Sequence, residues 1–500
     1  MKVLFISKGQ ETLAIEYLSS ALKKEGHKVE LLFDPGLDDN MGFWDVSILR
    51  KINPDNVFKK EIARFSPDLV ALSCPLNMFP FVRKAAALVK SVGQIPVIVG
   101  GGHPTIAPDY VLSDKNVDIV CLGEGEEPLV ELAERIESGK SYDDVKNLWI
   151  KKENGIVKNP IRPLLEDLDS LPFPDREIFY RYNCFSGNLY FIAGRGCPFN
   201  CTYCCQHSFQ NIYRGLGKYV RLRSVDNVIE ELIEAVKKYP AEHIHSEDDT
   251  FAFDHNWTKD FCREYKKHIG IPFYCHVRPG TLTEEILNDL ADAGCVGVFF
   301  GVDCGNEEMR TTVLKRKIPN DVIIEQAKLV KKSGIKLSCS SMFCLPGETP
   351  EQMYETFNMI KEIDSDYAYA TIYYPFYGTE LFDYAYENGY LDEETVALIK
   401  DGGGSLYGEP LIKSKYKDTA LLLKNVLPAY MRFKKLRSIF DYILKMKSCT
   451  AGKIVNLFLT PFSYGTLGKL KRREMLRVFF RFLSYWLRLT PIKKIAGGKD

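Results

Sequence analysis

Two trains of short strand-like runs, alternating with helix-like stretches, constrain this chain more than any other feature. In the first train the runs are Val3 to Ser7, Val29 to Phe33, Leu69 to Ser73, Val97 to Gly100 and Ile119 to Gly123. Helical patterns such as Ala14 to Glu25 and Val82 to Val92 lie between them. In the second train the runs are Tyr190 to Ala193, His243 to Ser246, Phe273 to Val277, Gly297 to Gly301, Lys336 to Cys344 and Ala370 to Tyr374. Such alternation builds parallel sheets. The expected fold class is therefore α/β: an N-terminal Rossmann-like doubly wound sheet, then a partial barrel of six strand-and-helix repeats, then a mainly α-helical basic region. At 500 residues several domains are expected, divided as 1–140, a linker 141–186, 187–400 and 401–500. Asn147 to Asn183 reads as irregular, because Asn159-Pro160, Arg162-Pro163 and Leu171-Pro172-Phe173-Pro174 forbid long regular elements.

Charge excludes some function classes. Basic and acidic side chains number 66 each, so no nucleic acid partner is expected from the bulk of the chain. The N-terminal apolar run is too short for a secretory signal, and no run of about 20 apolar residues spans a bilayer. Cytoplasmic location is expected, and the 14 cysteines then read as reduced thiols, some of them at a metal centre. Met431 to Asp500 differs, with 17 basic against 3 acidic side chains. Within Lys471 to Leu489, Arg473, Arg477, Arg481 and Arg488 share one helical face and aromatic residues fill the rest. That pattern suits peripheral contact with an anionic inner membrane surface, or equally an apolar side packed on its own protein.

Chemistry concentrates in Gly194-Arg195-Gly196-Cys197-Pro198-Phe199-Asn200-Cys201-Thr202-Tyr203-Cys204, which follows a strand and precedes a less regular segment. Three thiolates on a glycine-flanked loop can converge on one iron-sulfur cluster and leave one iron open. A zinc site is the alternative, but it ordinarily needs a fourth ligand in paired spacing. Cys205 is either a further ligand or a packed, inert thiol.

This loop resembles the signature of the radical S-adenosylmethionine superfamily, Cys-x3-Cys-x2-Cys with an aromatic residue, here Tyr203, before the last cysteine. The resemblance implies a 4Fe-4S cluster on Cys197, Cys201 and Cys204, with S-adenosylmethionine on the open iron as source of a 5′-deoxyadenosyl radical. It places further cofactor contacts at strand ends: Glu247 and Asp248, Arg278, and Asp303, with Pro346-Gly347-Glu348-Thr349 nearby. An ordinary ion pair is the other reading of each acid. The usual Gly-Gly-Glu triplet is absent, and Asp303-Cys304 stands where relatives carry Glu-Ser.

The first train resembles the cobalamin-binding module that precedes many such barrels, through Gly100-Gly101-Gly102-His103-Pro104-Thr105, Gly123-Glu124-Gly125-Glu126 and Asp167 to Pro174. Ser73, Asn77, Gly100, Gly101, Gly102, His103, Gly123 and Glu124 are the expected corrinoid contacts, although backbone groups could equally satisfy His103. The Asp-x-His-x-x-Gly motif is missing between Ser7 and Ser20, so a cobalamin without histidine ligation is implied. The combined resemblance implies methylation of an unactivated carbon of a small-molecule or lipid-like substrate, with reduced flavodoxin or ferredoxin as electron donor. Ring formation, ring contraction or anaerobic oxidation with the same cofactors is the second reading. A cobalamin- or redox-sensing binding protein is the reading from another class.

Overall fold

The computed structural model describes residues 1–34, 55–182 and 187–459, which fall into two compact units. In the first unit the strands are β1 (Lys2–Lys8), β2 (Lys28–Asp34), β3 (Leu69–Ser73), β4 (Val97–Gly100), β5 (Ile119–Cys121), β6 (Leu148–Lys152) and β7 (Gly155–Lys158). They form one sheet of order β2-β1-β3-β4-β5-β6-β7. β1 to β5 pair in parallel, whereas β6 and β7 are antiparallel. Successive side chains of a strand face opposite sides, and the sheet uses both. Val3, Phe5 and Leu31 pack with Ile15, Leu22, Leu129 and Leu132 on one side. Leu4, Ile6 and Val70 pack with Ile62, Val82, Ala86 and Val89 on the other. This is the doubly wound arrangement.

The stretch read as irregular from Asn147 carries the β6–β7 hairpin, which extends the first sheet. Leu148 and Ile150 are buried while Trp149 and Lys151 are only partly so, and Asn154-Gly155 is a short-range hairpin signal that the prolines of the segment overshadowed. Those prolines all lie beyond the second strand.

In the second unit β8 (Asn188–Phe191) is followed by a short antiparallel pair, β9 (Gly194–Arg195) with β10 (Arg221–Leu222). β11 (His243–Ser246), β12 (Phe273–Val277), β13 (Cys295–Asp303), β14 (Lys336–Phe343) and β15 (Tyr367–Ile372) complete the unit. The six-stranded sheet is wholly parallel in the order β8-β11-β12-β13-β14-β15, the partial barrel expected. Helices enter with side-chain caps that satisfy their first N–H groups. Ser224, Asp254 and Thr283 cap the helices Val225–Lys238, His255–His268 and Glu284–Asp292, and Thr349 with Gln352 makes a capping box on Pro350–Ile363. The outer face of the sheet is sealed by these helices: Phe273 of β12 packs on Phe261 and Tyr265, with ring centroids 6.0 and 4.8 Å apart. Its inner face is therefore that of Tyr274 and His276.

After the barrel the chain is helical through Lys417–Arg432, Arg437–Lys445 and Cys449–Leu459. The stripe Arg473 to Arg488 lies outside the described residues. Among the described residues no helix is long and apolar enough to cross a membrane.

Candidate functional site

The three cysteines sit just past β9, on a loop whose path the surrounding backbone dictates. Gly196 has φ +84°, and a Cβ there would stand 2.5 Å from the Tyr219 carbonyl oxygen, so only glycine admits this approach. Thr202 anchors the middle: its hydroxyl donates to the Val313 carbonyl at 2.7 Å and its N–H to that of Leu314 at 3.2 Å. Where irregular structure was expected, Cys204 instead opens the helix Cys205–Ile212 in an extended conformation. A helix N-terminus favours a thiolate there. The Cys205 thiol hydrogen-bonds that of Cys204, which raises Cys204 and lowers Cys205, while burial raises Cys197. Thiols held above neutrality ionise when a metal binds.

Arg278, at the end of β12, reaches this loop. Its Nη1 lies 3.2 Å from Cys201 Sγ, and its guanidinium centres 3.9 Å over the Phe199 ring. Asp248 also serves the loop, accepting from the N–H groups of Ala193 at 3.0 Å and Gly194 at 2.8 Å and from the Ser246 hydroxyl at 2.5 Å. Burial raises its carboxyl to about 6 against these bonds. Glu247 and Asp249 flank it with solvent-open side chains, yet the surrounding protein raises both, Asp249 to about 6.

Tyr203 and Asp303 meet each other across 100 residues of sequence. The Tyr203 hydroxyl donates to Asp303 Oδ2 at 2.6 Å, and Arg316 Nη1 lies 2.8 Å from the same oxygen. Burial raises the Tyr203 phenol far above its usual range, so it stays a donor. Arg316 escaped the sequence reading because Lys315-Arg316-Lys317 looks like an ordinary surface run; the fold buries its middle member alone. Glu348 is likewise enclosed: it accepts from the Leu345 N–H at 2.9 Å, its other oxygen has no partner among the described residues, and burial raises it to about 8.

In the first unit the loops after β3, β4 and β5 are tied together at the carboxyl edge of the sheet, where such folds bind ligands. Gly101 has φ +113°, and a Cβ there would lie 2.9 Å from the Cys74 carbonyl oxygen. The Thr105 hydroxyl donates to the Gly101 carbonyl at 2.7 Å and accepts from the Gly123 N–H at 2.9 Å, linking two glycine turns. Ser73 ends β3 partly exposed. Gly100, Gly101, Gly102, Gly123 and Glu124 are also partly exposed, and Asn77 is open to solvent. His103 differs: it is 2% exposed, with its ring centroid 5.4 Å from Phe79 and 6.4 Å from Tyr110. Aromatic rings enclose it on two sides, while the glycine backbone of the edge stays open.

Both arrangements fit the implied groups. Three thiols beside a cationic donor match a cluster with one open iron. Among the described residues no three His, Cys, Asp or Glu side chains converge closely enough for a single metal ion, whereas the thiolates of a cubane sit on separate irons and stand further apart. The edge, glycine-rich and carrying only the side chains of Ser73, Asn77 and Glu124 among the expected contacts that stay open, fits a broad, flat macrocycle.

Comparison with known proteins agrees in both halves. The Radical SAM superfamily profile matches residues 191–360, and the B12 binding domain profile matches residues 8–133. An uncharacterized methyltransferase of Pyrococcus horikoshii is 28% identical over 428 residues, 84% of this chain and 87% of the relative. The cytidylyl-2-hydroxyethylphosphonate methyltransferase of Streptomyces wedmorensis is 24% identical over 432 residues, 76% of this chain and 79% of the relative. The fold is shared with the radical S-adenosylmethionine methyltransferase TsrM from Kitasatospora setae, solved with cobalamin and a 4Fe-4S cluster: TM-score 0.63 at 18% identity, covering 78% of this chain and 75% of that one. With a cysteine loop of radical type in one unit and a glycine-edged B12 domain in the other, this chain belongs to the cobalamin-binding radical S-adenosylmethionine enzymes.

Proposed function

We propose that the chain is a methyltransferase that acts on an unactivated carbon of a small molecule. The observation that carries this reading is the occurrence, in one chain, of the Arg278-braced cysteine loop and the glycine-lined B12 edge. Curated relatives with methyltransferase names support it. When bound, the cluster, S-adenosylmethionine and cobalamin supply hydrogen-atom abstraction and methyl transfer; the protein supplies position and exclusion of water.

Each residue then has a task. Cys197, Cys201 and Cys204 hold the cluster, and Arg278 fixes the Cys201 sulfur and offsets its charge. Asp248 clamps the start of the loop, and the Tyr203–Asp303–Arg316 set fixes its end. Glu247 and Asp249, open at the end of β11, are the acids available to an ammonium group of S-adenosylmethionine. Ser73, Asn77, Gly100 to Gly102, Gly123 and Glu124 line the corrinoid edge. Reduced flavodoxin or ferredoxin supplies the electron in this scheme. The basic stripe Arg473 to Arg488 would bring the chain to anionic lipid, and with it a lipid-like substrate.

The test is anaerobic purification, reconstitution with iron and sulfide, and incubation with hydroxocobalamin, S-adenosylmethionine and a strong reductant. Formation of both 5′-deoxyadenosine and S-adenosylhomocysteine, lost in Cys201→Ala, is expected. Deoxyadenosine alone would replace methylation with another radical reaction, and neither product would overturn the reading.

A further inference from the structure

The inner face of the barrel carries a ladder of rings. His245 of β11 stacks on Tyr274 of β12, with centroids 4.8 Å apart and planes at 23°. One step further along, His276 stacks on Phe299 of β13 at 4.8 Å and 15°, and Phe299 meets Tyr369 of β15 at 5.6 Å. Strand β14 lies between those last two, and it allows the contact because the facing positions there are Ser338 and Ser340.

His245 and Tyr274 are buried, but exposure separates the His276, Phe299 and Tyr369 end of this ladder from a hydrophobic core. On the outward side Phe273, Cys275, Val298, Phe300, Cys339 and Ala368 are buried. On the inward side His276 is exposed, and Phe299 and Tyr369 are partly exposed. The faces of His276 and Phe299 are therefore reachable by a ligand. The His276 ring nitrogens have no hydrogen-bond partner among the described residues. The position is also close to the chemistry: His276 precedes Arg278, the first residue past β12, by two positions, about 6.6 Å of extended chain, and Arg278 touches Cys201. None of His276, Phe299, Ser338, Ser340 and Tyr369 carries a fixed charge.

We infer that the substrate presents an uncharged planar aromatic ring, which stacks on the Phe299 level of the ladder and hydrogen-bonds His276. This rests on the reading of the barrel as the catalytic unit and names the substrate class. His276 and Phe299 then determine specificity. A flat ring gains from offset stacking and face-to-edge contact what a saturated ring of equal size cannot.

Equilibrium dialysis on the reconstituted full chain, with saturating S-adenosylmethionine present, tests this with 2-naphthol against 2-decalol, which share a hydroxyl and differ in planarity. The wild type is expected to bind 2-naphthol roughly tenfold more tightly, and Phe299→Leu to lose most of that preference. His276→Phe, which keeps a ring but no nitrogen, is expected to weaken 2-naphthol several-fold and leave naphthalene unchanged. Equal binding of the two alcohols by the wild type overturns the proposal without any variant having to fold. Binding of 2-naphthol only when S-adenosylmethionine is left out of the dialysis also overturns it, since the ladder would then be an adenine site. Because these are binding readouts, a chain that stacks 2-naphthol but forms no S-adenosylhomocysteine would refute methylation and keep the ring site.

Discussion

Arg278 Nη1 lies 3.2 Å from Cys201 Sγ while its guanidinium covers the Phe199 ring. A cation donating to a ligating sulfur favours the reduced, more negative cluster. Arg278→Met is expected to lower the midpoint potential by on the order of 60 mV, the one-electron equivalent of a tenfold shift. A redox titration followed by electron paramagnetic resonance reads this directly; an unchanged potential would show that the contact only positions the loop.

Tyr203 and Arg316 share one oxygen of Asp303. Tyr203→Phe removes one charge-assisted bond and is expected to cost about 1.5–3 kcal/mol. Arg316→Met leaves a buried carboxylate without its cation and should cost about 3–5 kcal/mol. Urea unfolding gives the order, and a Tyr203 variant more damaging than the Arg316 one would contradict it.

Gly196 and Gly215 both have positive φ, yet they make different predictions. At Gly196 a Cβ meets the Tyr219 carbonyl oxygen at 2.5 Å, whereas at Gly215 nothing lies within 4 Å. Both alanine variants carry backbone strain of about 1–3 kcal/mol. Only Gly196→Ala, next to Cys197, is expected to lose iron and acid-labile sulfide after reconstitution.

Burial raises Glu348 to about 8 from a usual 4.5. The folded chain thus holds a proton that the unfolded chain releases, and stability falls as pH rises between those values. The loss levels off above the folded pKa and amounts to a few kcal/mol. Glu348→Gln keeps an acceptor for the Leu345 N–H and should flatten this slope, so its unfolding midpoint approaches or passes that of the wild type near pH 8. Parallel pH profiles would show that the carboxyl ionises normally.

His103 is enclosed by Phe79 and Tyr110. His103→Phe is expected to retain hydroxocobalamin as fully as the wild type, with no change in its absorption spectrum. Loss of corrinoid would place the imidazole at the ligand after all.

Legibility in the sequence followed from what is local. Strand and helix order could be read because alternation of apolar runs with amphipathic stretches reflects burial on both faces of parallel sheets. The three-cysteine loop could be read because Cys197, Cys201 and Cys204 lie within eight residues of one another. The hairpin Leu148–Lys158 was hidden only by neighbouring prolines, and Asn154-Gly155 marked it. The helix after Cys204 was less visible, since no conventional cap residue introduces it.

By itself, then, the sequence determined the parallel strands of both sheets, the cysteine loop and the glycine turns, all set by spacing along the chain. Tertiary structure alone decided how the predicted acids are employed. Closing the sheet brings the ends of β11, β12 and β13 to the cysteine loop, so Asp248 meets Gly194, Arg278 meets Cys201, and Asp303 meets Tyr203 and Arg316. It also turned His103 inward and lined up His276, Phe299 and Tyr369 across strands that are tens of residues apart. The reason is physical: a charged or aromatic side chain at a strand end has many partners compatible with its local sequence, and only the register between strands selects one.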